Sequence, residues 1–181
     1  MKKLLVFIFV CFGLTSSAQV FIKTAAFLFP ATSSLASVSF GLEIKHKHVG
    51  YEYLFNTYSA GGDGPSFSRS TFQIAVKYYF ISSDSSRFKF YTAALLHYKS
   101  MKASDELPVT ADGRNVLTAK GIGYGFLLGN NLDVSRHIGF DSGISIFYLS
   151  TDNNYQFRSF PFNQLCSKFH IGVKLLLYIR L

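Results

Sequence analysis

The sequence predicts an all-β fold: an antiparallel, eight-stranded, up-and-down barrel that crosses a membrane through its strands. Three features predict it. The last stretch, from Lys168 to Leu181, alternates strictly, with Phe169, Ile171, Val173, Leu175, Leu177, Ile179 and Leu181 on one side and His170, Gly172, Lys174, Leu176, Tyr178 and Arg180 on the other. A period of two marks a strand with two different environments, whereas a helix would scatter Lys174 and Arg180 among the leucines. Across the chain the charged residues share their face with glycine, and the opposite face is bulky and apolar. The connections between the strands also alternate between short and long.

The chain has 181 residues, enough for one domain. Residues 1–18 read as a cleaved signal peptide, with Lys2 and Lys3 as its positive start, Leu4 to Leu14 as its apolar core and Ser16-Ser17-Ala18 as its cleavage site. That core is too short for a membrane-spanning helix, which needs about 20 apolar residues. The mature barrel is then 19–181, and loss of Lys2 and Lys3 lowers the formal charge from +8 to +6. Cys11 lies in the leader without the small preceding residues of a lipoprotein box, so Cys166 is alone in the mature chain and no internal disulfide is expected.

The strands follow in order. The first, Val20 to Phe29, alternates least well, since an inward Lys23 also turns Phe27 and Phe29 inward. The second, Leu35 to Lys45, sets Ala36, Val38, Phe40, Leu42 and Ile44 against Ser37, Ser39, Gly41, Glu43 and Lys45. A short turn, His46-Lys47-His48, leads to the third, Gly50 to Tyr58, where Tyr51, Tyr53 and Phe55 oppose Glu52, Leu54 and Asn56. After a glycine-rich loop the fourth runs from Arg69 to Phe80, with Gln73, Ala75, Lys77 and Tyr79 inward. The fifth, Phe88 to Lys99, carries Lys89, Tyr91, His97 and Lys99 inward, and a long polar loop from Ser100 to Leu117 follows. The sixth, Thr118 to Asn130, opposes Ile122, Tyr124, Phe126 and Leu128 to Gly121, Gly123, Gly125, Leu127 and Gly129. A turn from Asp133 to His137 precedes the seventh, Ile138 to Leu149, which brings Gly139, Asp141 and Gly143 inward.

Each strand is near the roughly 9–11 residues that a tilted membrane strand needs. Short turns after the second, fourth and sixth strands, with long loops after the third, fifth and seventh, match a barrel with periplasmic turns and external loops. An even strand number puts both termini on the periplasmic side. A soluble, lipocalin-like ligand binder is the structural rival, but it would turn its bulky apolar face inward. Here the small residues lie with the charges, where backbones converge in a narrow barrel. Lysine at mid-membrane costs about 2–4 kcal/mol, which explains its exclusion from the bulky face. Phe88 and Phe90 at one end of the fifth strand and Tyr98 at the other sit where aromatic girdles are expected, as do Phe140 and Tyr148 on the seventh.

The expected interior charges are Lys23, Glu43, Lys45, Glu52, Lys77, Lys89, His97, Lys99, Lys120, Asp141, Lys174 and Arg180. Enclosed charges must pair. Glu52 is expected between Lys45 and Lys77, and Asp141 opposite Lys174, as structural clusters. No catalytic set is evident. His97 and Ser100 have the spacing His-x-x-Ser, which puts them on opposite faces, and no carboxylate is placed to orient the histidine. His46 and His48 lie on a solvated turn, and Asp105, Glu106 and Asp112 do not fit a calcium loop. No cofactor or metal site is expected. The basic pI near 9.5 raises nucleic acid as a partner, but an exported chain with enclosed lysines argues against it.

The whole mature chain resembles the small outer-membrane barrels of Gram-negative bacteria, the class of OmpX and the OmpA membrane domain. Ser17-Ala18 before Gln19, with 20 Phe and 11 Tyr, looks like the exports of Bacteroidota. The C-terminal strand resembles the signal read by the barrel-assembly machinery, though it ends on Leu181 where an aromatic is usual. The resemblance implies an outer-membrane protein whose partners are membrane lipids and lipopolysaccharide. Loop cations Arg69, Lys102, Arg114, Arg158 and Lys168 are the candidates to meet lipid phosphates. Three functional classes stay open: a stand-alone surface-contact barrel, an accessory subunit of a larger outer-membrane transport or assembly complex, and a lipid A-modifying enzyme.

Overall fold

The computed structural model describes residues 18–29, 35–60, 66–80, 86–104, 116–151 and 169–181. Residues 1–17 of the predicted signal peptide, Cys166 and most of the long loops lie outside them. Eight antiparallel strands close a barrel in sequence order: β1 (Gln19–Phe29), β2 (Leu35–His46), β3 (Val49–Ala60), β4 (Ser66–Tyr79), β5 (Phe88–Ser104), β6 (Val116–Asp133), β7 (Ile138–Thr151) and β8 (Phe169–Arg180). Closure removes the free edges that an open sheet would expose. The seam between β1 and β8 is short, from Phe21↔Arg180 to Thr24↔Leu177, with Leu181 N donating to Val20 O at 3.0 Å beyond it.

The two faces separate as the alternation predicts. Phe126, Ile171 and Val173 are 70%, 79% and 85% exposed on the outside, while Lys23, Glu43, Glu52, Lys77 and Asp141 are fully buried inside. An apolar face this continuous is what acyl chains accommodate and water does not. Phe88, Phe90 and Tyr98 are exposed on β5 at the predicted girdle positions. The expected interior position of Lys120 is corrected: it is exposed, because it has the same parity as outward Ile122.

β5 and β6 exceed their predicted ranges the most. β5 continues to Ser104 and β6 starts at Val116, so both ends of the predicted 100–117 loop are strand, paired through Ser104↔Val116. At the other end β6 extends to Asp133. Backbone pairing does not stop where apolar side chains do, so composition underestimates these strands.

Glycine is required where side chains cross the lumen. Tyr91 pairs with Gly129 across β5 and β6, and a Cβ at 129 would stand 2.5 Å from the tyrosine ring and 2.6 Å from Ser142 O. Tyr178 lies over Gly139 in the same way across β7 and β8. The glycine face thus makes room for the large side chains of the neighbouring strand.

Candidate functional site

The lumen has three storeys. We call its ends the turn end, where β2–β3, β4–β5 and β6–β7 connect, and the loop end opposite. The middle storey is a belt of ion pairs. Lys77 Nζ lies 2.8 Å from Glu43, 2.9 Å from Glu52 and 2.9 Å from Asp141. Lys23 bonds the same three carboxylates, at 2.7 Å to Glu52. Lys174 Nζ lies 2.6 Å from Glu52 and 2.9 Å from Asp141. Tyr91 donates its hydroxyl to Asp141 at 2.5 Å, Tyr79 donates to Glu43, and Asn131 Nδ2 donates to Tyr79 at 3.1 Å. Every strand contributes: Lys23 from β1, Glu43 from β2, Glu52 from β3, Lys77 and Tyr79 from β4, Tyr91 from β5, Asn131 from β6, Asp141 from β7 and Lys174 from β8.

Three lysines balance three carboxylates, so the belt is neutral while its members are charged. Alternation places each side chain inward, and eight-strand closure brings them to one level. Enclosed ions cost several kcal/mol each in desolvation, and only multiple pairing offsets it. Glu43, Glu52 and Asp141 offer oxygens within 4.8 Å of one another, a spacing that suits a metal ion. The ammonium groups of Lys23 and Lys77 already fill that position, and a cation would have to displace them.

The turn end is closed by a second cluster. Asp133 accepts from Lys89 at 2.7 Å, from Arg180 at 2.8 Å and from Tyr178. Phe21 packs edge-on against Tyr178, with ring centres 5.3 Å apart, and the Arg180 guanidinium lies 5.3 Å from the Phe21 ring. Phe21 and Tyr178 are each 1% exposed and plug this end of the lumen.

The loop-end storey is a cavity of about 470 Å³ above the belt. Ser37, Ser39, Asn56, Thr71 and Gln73 line one side, Leu54, Leu95 and Leu127 lie low in it, and Arg69, His97 and Lys99 supply its cations. Phe147 stands between two imidazoles, 4.5 Å from His97 and 5.1 Å from His170 between ring centres. Asn56 donates to Ser39 at 2.7 Å.

Of the expected cluster, Glu52, Lys77, Asp141 and Lys174 meet in the belt. Lys45 is buried but lies one step nearer the turn end, paired with Gly50 and with its ammonium 4.3 Å from the centre of the Tyr79 ring. Glu52 is engaged instead by Lys23, Lys77 and Lys174. Lys23 and Glu43 complete the belt. Arg69, expected as a loop cation facing lipid phosphates, is a β4 residue lining the cavity, with its guanidinium 5.2 Å from the Tyr58 ring. Its odd number on β4, shared with Gln73 and Lys77, is the signal that places it. Lys102 is exposed on β5, while Arg114, Arg158 and Lys168 lie outside the described residues. His97 is buried within the lumen and Ser100 has the outward parity of Leu96 and Tyr98, so the two do not form a nucleophile–base pair.

No protein-family model matches the chain, and no curated protein matches its sequence. Among solved structures it is similar to Neisserial surface protein A (NspA), at 15% identity and a TM-score of 0.53, over 91% of this chain and 93% of that one. It is also similar to a major outer membrane protein from Thermus thermophilus, at 8% identity and a TM-score of 0.59, over 91% of this chain and 100% of that one. At these identities the likeness is one of fold.

Proposed function

We propose that this chain is a non-catalytic, non-conducting outer-membrane barrel that works through its loop end, as a stand-alone surface-contact protein. The observation that carries the reading is the pairing of a continuous apolar exterior with a lumen crossed by the Lys23–Glu43–Glu52–Lys77–Asp141–Lys174 belt. A narrow barrel crossed at mid-height by its own side chains is a rigid mount for loops rather than a channel. Both solved structures above are of proteins found at a surface or in an outer membrane by their names, which supports the location. In this reading residues 1–18 are a cleaved leader of the Bacteroidota type, both termini are periplasmic, and the barrel-assembly machinery inserts the chain. External cations such as Lys102 contact lipopolysaccharide.

A second reading, an accessory subunit of a larger outer-membrane complex, rests on the same exterior, which can face a protein as well as lipid. Gentle detergent extraction and mass spectrometry separate the two. The stand-alone reading expects a single species in the outer-membrane fraction, and stoichiometric partners would replace it with the subunit reading. In planar bilayers the purified barrel is expected to give no discrete conductance steps; steady single-channel openings would defeat the sealed-lumen argument.

A further inference from the structure

The loop-end cavity is a pocket rather than a leftover void. Its volume of about 470 Å³ falls in the range of small-molecule sites, roughly 300–1,000 Å³. Among the described residues, those that line it include Arg69, Lys99, His97 and His170, and no Asp or Glu. The three carboxylates of the belt lie below, each engaged by at least two lysines. A low-dielectric cup lined by one sign of charge concentrates ions of the other sign. His97 is 5% exposed, yet its Nε2 has no hydrogen-bond partner among the described residues, and neither does Arg69 Nε. Buried polar atoms left in this way can be satisfied by a bound ion or ligand. The opposite wall is aromatic and apolar, made by Phe147 between the two imidazoles and by Leu95 and Leu127.

We propose that this vestibule binds a small organic anion, its oxyanion held by Arg69, His97 and Lys99 and its flat or apolar body lying against Phe147. Arg presents a planar fork that suits a carboxylate or phosphate group. Thr71 and Gln73 add neutral donors on the same side. Entry is from the loop end, since the belt and the Phe21–Tyr178 pair close the other. The proposal goes beyond the surface-contact reading and depends on it only through the folded lumen.

The full barrel, refolded in detergent micelles at constant ionic strength, is titrated with sodium benzoate and with sodium phosphate. The side-chain NMR signals of His97 and His170 are followed. Saturable shifts are expected with benzoate, tighter than with phosphate because phosphate has no body to place on Phe147. Arg69→Gln is expected to raise the benzoate Kd about tenfold or more, and Lys120→Gln, on the outer face, to leave it unchanged. Absence of saturable shifts in a barrel that still shows heat-modifiable electrophoretic mobility overturns the vestibule proposal. Equal loss in Arg69→Gln and Lys120→Gln also overturns it, since that is charge attraction without a site. Failure of the wild-type chain to form a heat-modifiable barrel overturns the barrel reading instead.

Discussion

Glu43 and Glu52 face each other directly across β2 and β3, two carboxylates at one register position. Like charges so placed repel. Lys23 from β1 and Lys77 from β4 each bridge both carboxylates, so the pair gains its shared counter-charge only when a flanking strand joins β2 and β3. The belt is therefore a lock on closure: a β1–β2 hairpin can hold Lys23–Glu43 and a β3–β4 hairpin Glu52–Lys77, but Lys23 with Asp141 and Lys174 with Glu52 meet only in the closed barrel.

Removing one belt charge should cost more than removing two that balance. Lys77→Met leaves the carboxylates short of a cation and is expected to destabilise the barrel by about 3–5 kcal/mol. Adding Glu43→Gln to Lys77→Met should recover part of that loss. Urea titration of heat-modifiable mobility in lipid vesicles measures both. An additive double variant would show that the pair does not act as a unit.

The contact between Tyr91 and Gly129 gives a packing prediction. Gly129→Ala should destabilise by about 1–3 kcal/mol, because the added methyl meets both the Tyr91 ring and Ser142 O. Tyr91→Ala should not rescue it, since the carbonyl contact at 2.6 Å remains. Thermal unfolding followed by circular dichroism decides the point.

Exterior sidedness is testable by depth. Ile144 lies mid-strand on the outer face, between Phe140 and Tyr148. Ile144→Lys should cost about 2–4 kcal/mol on insertion into vesicles, and Thr57→Lys near the loop-end rim at most about 1 kcal/mol. Equal and small costs at both sites would mean that water, not lipid, covers that face.

Orientation follows from connection length. In a Cys166→Ser background, a membrane-impermeant maleimide applied to intact cells should label Lys102→Cys and leave Ser135→Cys unlabelled until the cells are opened. The reverse pattern would place the β6–β7 turn outside.

Much of this architecture is legible in the chain because strand alternation is local. Reading Phe40, Leu42 and Ile44 against Gly41, Glu43 and Lys45 assigns both faces of β2 without reference to any other strand. The same parity places Arg69 in the lumen and Lys120 outside it. Composition misplaces both, because it ends β4 at Arg69 and so reads a lumen cation as a loop residue, and it counts Lys120 with the enclosed charges. In the extensions of β5 to Ser104 and of β6 from Val116 the apolar signature is short, Met101, Ala103, Val116 and Leu117 set among polar residues. Continued backbone pairing between the two strands carries them on.

Which charge meets which is beyond the reach of alternation. Lys23 and Asp141 are 118 positions apart and come together only because closure sets β1 beside β8, next to β7. Glu52 takes Lys23, Lys77 and Lys174 rather than Lys45 because the turn at 47–48 pairs Lys45 with Gly50, one step towards the turn end. Facing depends on a residue's own neighbours, whereas pairing depends on register and curvature summed around a closed sheet. Fold and sidedness therefore belong to the linear order of residues. The neutral belt, the sealed turn end and the cationic vestibule exist only once eight strands share one axis.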